Sequence, residues 1–387
     1  MTDINIKESI EDKKSWFNIK RFKIGNTDFQ KPEKCLDIKN LDNSIYRNIK
    51  TNFKFYEASK ILKNYDNISK LTEAEDDQIN KFFYRGEWLG TAQNVINLTL
   101  QFNPYNHVKT IDELSWFFNQ YYPYSKLFLT VPNIRVKTLK ANIIDLQSYT
   151  RFVDETYKIL NDKNNKPIFV PVSMKFTIGQ LTGLMEHYLK HDRFYYWFDF
   201  EGRSINENSL GRLRHIFDLL KKKKAFDNVV TYFSNVKREK TANSKENTSV
   251  ASDALSAIAG ANLIGVNREP SRYFNPNTLM NDGSVGIRAS IDVDPNHKAR
   301  IFDRETYYYV KTVDQDLYDK RKYVPLNAAR LNAEFAAQSE YFLEHQDITT
   351  LLNQKSMFKD EKAGNILHDL TSKSATTSAD MDMSDFF

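Results

Sequence analysis

A single cysteine in 387 residues, Cys35, leaves no internal disulfide and no multi-cysteine zinc or iron–sulfur site. As a lone thiol it reads as a small buried hydrophobe. Glycine and proline are scarce, at 12 and 10. No Gly-x-Gly-x-x-Gly or Walker loop occurs, so a nucleotide-triphosphate site has no support. No apolar run is long enough to span a bilayer, and the N-terminus is polar and acid-bearing, unlike a secretory signal or transit peptide. The expectation is a cytoplasmic protein with no membrane partner. The histidines show no His-Glu-x-x-His pattern. His187 and His191 are i, i+4, a spacing that can ligate a metal, but the helix ends there and surface exposure is expected.

What is present suits a globular chain: 41% hydrophobic, 13% aromatic and 27% charged residues. The length allows one large domain with embellishments or two ordinary ones. A net charge of +5 is compatible with a polyanionic partner without demanding one.

From residue 127 onward, apolar strands alternate with helical periodicity. Strands are expected at 127–131, 167–174, 194–200, 229–233 and 263–266. Between them lie a helix with Tyr149, Phe152, Val153, Tyr157 and Leu160 on one face behind a Ser148 cap, one carrying Leu181, Leu184, Met185 and Tyr188, and one capped near Asn208 with Leu210, Leu213 and Phe217. A small-residue helix is expected at 251–259. Successive parallel strands with crossover helices point to an α/β fold, a TIM-like (β/α)8 barrel, with an open doubly wound sheet as the alternative. Candidates for the remaining strands lie at 22–24, 35–38 and 301–310. The expected organisation is a barrel-like domain over 1–325 with a helical insertion at about 40–125, where 56–62 and 76–83 read as helices. A C-terminal helical region at 326–370 and a disordered tail at 371–387 follow.

The run FYYWFDFEGR at 194–203 ends an apolar strand in two carboxylates and an arginine. In α/β folds the C-terminal ends of parallel strands deliver reactive groups to a common face. Reading past each strand gives Asn133 and Arg135; Ser173 and Lys175; Asp199, Glu201 and Arg203; Asn235, Lys237, Arg238 and Glu239; then Asn267, Arg268 and Glu269. Asp199 and Glu201, two apart on a strand, point to one side and are the candidate catalytic pair, able to share a proton or to hold a divalent ion such as Mg2+. Arg135, Lys175, Arg203, Asn235, Lys237, Arg238, Asn267 and Arg268 are the candidate substrate-binding residues for an anion, nucleic-acid backbone included. A rim of ion pairs with no reaction explains the same residues equally well. Three tyrosines at 307–309 can stack bases or pack an edge strand.

The stretch from Leu127 to Pro270, including SDALSAIAGAN and LIGVNR, resembles the barrel of the tRNA-guanine transglycosylase superfamily. That resemblance implies base exchange in RNA or DNA through an active-site aspartate, for which Asp199 is the positional candidate. The family's zinc-binding cysteine cluster is absent. At the extreme C-terminus, DMDMSDFF follows a low-complexity linker. Met383, Phe386 and Phe387 fall where the clamp-binding peptide of DNA replication and repair proteins carries its aliphatic and two aromatic anchors, with Asp380 in place of the usual Gln. The resemblance implies a sliding clamp as partner. Two readings follow: a nucleic-acid-modifying enzyme working at the rim, or a non-catalytic accessory factor that binds DNA or a clamp.

Overall fold

The computed structural model describes residues 4–38, 53–83, 93–106, 110–135, 145–162, 165–239, 247–268, 299–314, 317, 320–360 and 364–371. Glu269, the linker beyond Thr371 and the tail residues Met383, Phe386 and Phe387 lie outside them.

The chain starts with a three-stranded antiparallel sheet, β1 (Asn5–Glu11), β2 (Asn18–Ile24) and β3 (Thr27–Phe29). It then enters a parallel sheet through β4 (Glu33–Lys34) and β5 (Leu36–Asp37), two halves of one strand separated by Cys35. β6 (Tyr56–Leu62), β7 (Asn94–Leu100), β8 (Leu129–Thr130) with β9 (Asn133–Ile134), β10 (Ile168–Ser173), β11 (Tyr195–Asp199) and β12 (Val230–Ser234) follow in order. After the short β13 (Thr248–Val250) comes β14 (Leu263–Ile264). β5 pairs with β6, β6 with β7, β7 with β9, β8 with β10, and β10 through β12 to β14, all parallel. β14 then pairs with β4, in register Leu263 to Glu33, and the ring of eight strands closes. This is a (β/α)8 barrel, and the open sheet is excluded.

Helices α1 (Asp66–Thr72) and α2 (Asp76–Phe82) follow β6, and α3 (Thr110–Tyr121) follows β7. α4 (Leu146–Asp162) leads into β10, α5 (Ile178–Lys190) into β11 and α6 (Glu207–Lys222) into β12. Asp145, rather than Ser148, caps α4: its carboxylate accepts from the Ser148 N–H at 2.8 Å and hydroxyl at 2.7 Å. α6 opens two residues earlier than expected, on an Asn206–Ser209 capping box. The hairpin β15 (Arg300–Asp303) and β16 (Tyr308–Lys311) pairs with β13 outside the barrel. α7 (Lys320–His345) packs on β4, β5 and β15, so the expected C-terminal helical region begins with a helix of the barrel wall. α8 (Thr349–Gln354) and α9 (Gly364–Thr371) end the described chain.

Four expectations are corrected. The expected helical insertion at 40–125 carries helices, α2 at 76–82 among them, but also the second and third strands of the barrel: 56–62 is β6, whose Glu, Ala and Lys favour a helix locally but which pairs with a barrel strand on each side. Residues 22–24 belong to the N-terminal sheet, and 301–310 to the outer hairpin. The small-residue segment 251–259 is a short 3-10 turn at Asp253–Leu255 followed by turns. It ends on Gly260 at φ +100°, where a side chain would press into the Phe217 ring.

Two cores result. Strand faces turned outward meet the helices in one large cluster. Phe55, Val95, Phe128, Phe169, Trp197, Tyr232 and Leu263 fill the barrel with Cys35, and Ile4, Phe22, Ile24 and Phe29 of the N-terminal segment join them. The antiparallel sheet therefore plugs the end of the barrel at which the strands begin.

Candidate functional site

β11 alternates faces. Tyr196 and Phe198 pack with the outer helices, while Trp197 lies in the inner cluster and Asp199, two residues on, shares its side. Asp199 is fully buried. Its Oδ2 accepts from Asn133 Nδ2 at 2.9 Å and Arg135 Nε at 3.1 Å. Its Oδ1 accepts from Asn235 Nδ2 at 2.9 Å and the Glu201 N–H at 3.0 Å. Arg135 Nη2 sits 2.5 Å from both oxygens. Asn133 is fixed in turn by the Tyr149 hydroxyl, which donates to its Oδ1 at 3.1 Å. Burial works against the charge of Arg135, but Asp199 and Glu201 outweigh it and hold the guanidinium above its ordinary pKa.

Glu201 is also buried, at 8% exposed, but its backbone and its partners differ. The chain turns as β11 ends, and Glu201 stands at φ +51°, a left-handed conformation rare for a side chain of this kind. Its Oε1 accepts from the Ser173 hydroxyl at 2.5 Å. Its Oε2 lies 2.6 Å from Lys175 Nζ and 3.6 Å from Arg135 Nε. Lys175 is about half exposed, at 52% of its side chain, so one of the partners of Glu201 can swing into solvent. Gly202, at φ +79°, donates its N–H to the carbonyl of Asn235, itself at φ +54°. Arg268 lies across the bare α-carbon of Gly202, where any Cβ would overlap its stem. Arg203 and Arg268 are exposed and form no side-chain ion pair among the described residues.

The structure thus joins Arg135, Lys175, Asp199, Glu201 and Asn235 in one network, with Arg203 and Arg268 on the same rim. It does not bring Arg238 and Asn267 into that network. Arg238 is 4% exposed and pairs with Glu239 at 2.6 Å, which also takes Arg300 at 2.8 Å. Burial raises the Glu239 carboxyl, yet the two arginines hold it below its ordinary pKa. Asn267 donates to Asp253, which also accepts from the Tyr309 hydroxyl at 2.8 Å. These groups anchor the outer hairpin to the strand ends. Lys237 forms a backbone bridge with Arg268 and is half-buried. Tyr307 and Tyr309 are fully buried and bonded to Glu334 and Asp253, so the tyrosine run is packing and no stacking platform. Divalent-ion binding does not fit Asp199 and Glu201: the oxygens of Asp199 are taken by N–H donors, and those of Glu201 face a hydroxyl, an ammonium and a guanidinium.

A second polar cluster inside the barrel escaped sequence reasoning. Glu57 of β6 is fully buried. It accepts from the Tyr232 hydroxyl, the Val266 N–H at 2.7 Å and the Ser59 hydroxyl at 2.7 Å. Asn97 Nδ2 donates to the Tyr232 hydroxyl at 2.7 Å, and Cys35 Sγ lies 3.7 Å from Glu57. Burial, then the Glu57 charge, pushes both the Tyr232 hydroxyl and the Cys35 thiol well up, so both stay protonated and the thiol is inert. Gly265 is required there, since a Cβ would overlap Glu57 and the Tyr232 hydroxyl. The sequence carries no clear signal for it: Glu57 sits in the mixed run YEASKIL at 56–62, which reads locally as a helix.

No protein-family model and no curated protein matches the sequence. Among solved structures, the chain is similar to an endo-β-1,4-mannanase of glycoside hydrolase family 26 from Cellulomonas fimi, at 11% identity and a TM-score of 0.39, over 61% of this chain and 65% of that one. A double mutant of the Cellulomonas fimi mannanase gives 10% identity and a TM-score of 0.38, over 62% and 65%. An engineered protein gives 11% and 0.38, over 62% and 64%. The chain spans about two-thirds of the length of each. The likeness is one of barrel fold, which the strand pairings define independently.

Proposed function

We propose that the C-terminal mouth of the barrel is an active site for a phosphate-bearing anionic substrate, with Glu201 as the proton-transferring group. The observation that carries this is Glu201 itself: a non-glycine residue held in a strained backbone conformation, its carboxylate among Ser173, Lys175 and Arg135, beside Arg203 and Arg268, which form no side-chain ion pair among the described residues. Strain of order 1–3 kcal/mol persists only where surrounding structure imposes it, and it gathers at functional sites. In this reading Arg203 and Arg268 bind the anion, and Lys175 moves between Glu201 and substrate. Asp199 positions Arg135 and the Glu201 N–H.

Base exchange through Asp199, which the transglycosylase resemblance implies, loses ground because every oxygen of that residue is occupied. Glycoside hydrolysis takes two carboxyl groups about 5–9.5 Å apart on opposite sides of a bond; here both carboxylates share Arg135 on one side of the mouth. Nucleic acid is the polymeric form of the proposed ligand that a net charge of +5 favours.

The test is fluorescence anisotropy of the full chain with labelled single- and double-stranded DNA and RNA, alongside product analysis. Arg203→Ala/Arg268→Ala is expected to weaken binding at least tenfold with an unchanged melting temperature. Glu201→Gln is expected to bind normally and to turn nothing over. Unchanged binding by the double variant removes the ligand from the mouth. Turnover by Glu201→Gln overturns its role, and binding without turnover by the unaltered protein supports the accessory reading. Deletion of residues 380–387 tests the clamp contact separately, since it leaves the barrel intact.

A further inference from the structure

On the barrel's outer wall, away from the mouth, α4 and α5 bring three potential ligands together: Asp154 from α4, His187 from the last turn of α5 and His191 just after it. Their ligand atoms all lie within 4.8 Å of one another. Because α5 runs back toward the start of β11, this cluster sits at the opposite end of the barrel from Glu201.

We infer that Asp154, His187 and His191 form a binding site for a zinc-class divalent cation. Two imidazoles and one carboxylate are the donor set that suits zinc and its borderline neighbours, with water completing a tetrahedron. The imidazole of His191 is already set for the task. Its Nδ1 lies 2.8 Å from the His187 carbonyl, which can only accept, so Nδ1 carries the proton and Nε2 keeps its lone pair free. A backbone carbonyl on the far nitrogen is the usual way a ligating histidine is oriented.

His187 Nε2 faces both oxygens of Asp154, at 3.0 and 3.1 Å. Two donors bound at about 2.1 Å in a tetrahedron stand about 3.4 Å apart, so this pair needs only a small adjustment and the looser His191 a modest closing. On binding, the cation takes the place of the proton between His187 Nε2 and Asp154, and that proton passes to solvent or to the Nδ1 of the ring. Arg193 Nη1 holds Asp154 Oδ1 at 2.6 Å while its guanidinium stacks on the Tyr157 ring, 4.5 Å from the centroid. That leaves Oδ2 as the ligating oxygen and fixes its direction. His191 is the C-cap of α5, and the negative end of a helix dipole favours a cation there.

The test is a Zn2+ titration of the full chain against a chromophoric chelator, with Mg2+ as the control, and Co2+ substitution read by visible absorption. The expected result is one equivalent of Zn2+, no response to Mg2+, and a four-coordinate Co2+ spectrum. His191→Ala, an exposed change, is expected to weaken Zn2+ at least tenfold without altering the metal-free melting temperature; Asp154→Asn is expected to weaken it as much, with a lower melting temperature because the buried Arg193 loses its partner. Absence of Zn2+ binding overturns the site. So does unchanged stoichiometry and affinity in a His187→Gln/His191→Ala double variant, which would place the metal elsewhere.

Discussion

At the end of the barrel where the strands begin, Phe128 touches Phe55, Phe169 and Tyr232 at ring-centroid distances of 6.3, 4.4 and 5.3 Å, and Phe22 and Phe29 of the N-terminal sheet close the opening. At the end where they finish, Arg135, Asp199, Glu201, Ser173, Lys175 and Asn235 occupy the equivalent space with hydrogen bonds and ion pairs. Dispersion and burial are tolerant of small displacements, whereas a buried charge depends on its partner. The plugged end therefore sets how stable the barrel is, and the open end sets what it can hold. That separation is the usual division of labour in barrels of this type.

The largest break in the comparison comes from the plugged end. Phe128→Ala removes a fully buried ring and is expected to cost about 3–5 kcal/mol, read by urea denaturation, with ligand binding by the folded fraction unchanged. A loss under about 1 kcal/mol would show that the plug is not the barrel's main source of stability. Next is Arg135→Lys at the mouth, which keeps the charge but loses the forked contact to Asp199. About 1.5–3 kcal/mol is expected, together with a loss of turnover. Unaltered turnover would separate the Asp199 network from function.

A pH dependence sharpens the same contrast. Lys20 reaches from β2 to the carbonyls of Phe226 and Val229, at 2.5 and 2.6 Å, in a site 2% exposed. Burial lowers its pKa from 10.5 to about 8, with Asp227 and Glu11 opposing the shift. Between those values the unfolded chain holds a proton that the folded chain has released, so stability rises with pH across that window. The gain is on the order of 1–3 kcal/mol. Lys20→Met is expected to flatten the rise in denaturation curves taken from pH 7.5 to 10; the same slope in both proteins would assign it to other groups.

How much of this the sequence showed follows from where the determining contacts lie. β10, β11 and β12 are apolar runs buried on both faces, so each was readable from its own residues, and the barrel followed from their spacing. β6 was not, because Tyr56–Leu62 carries residues that favour a helix. Its inward Glu57 is satisfied by Tyr232 and Val266, far along the chain. The rim residues were found by reading past the strand ends, but their pairing was not. Arg135 and Arg238 read from the sequence as anion-binding candidates, whereas Asp199 and Glu239 hold them in ion pairs. Asp199 and Glu201 look equivalent at two-residue spacing, and both are buried; the turn at Glu201 gives its carboxylate a half-exposed partner in Lys175, which Asp199 lacks.

That turn gives the smallest expected change in stability and the sharpest in function. Glycine adopts φ +51° without penalty, so Glu201→Gly relieves backbone strain of order 1 kcal/mol or more. Against this it loses the Ser173 hydrogen bond to a charged carboxylate, worth about 1.5–3 kcal/mol, and the pair with the half-exposed Lys175, worth about 0–1 kcal/mol. The net shift in unfolding free energy is expected to stay within about 2 kcal/mol, while turnover disappears. Phe128→Ala is the mirror case, with stability lost and binding kept. A drop of more than about 2 kcal/mol in Glu201→Gly would make Glu201 a structural pin for the β11 loop, and the division between a stabilising end and a working end would then fail at the residue on which it rests.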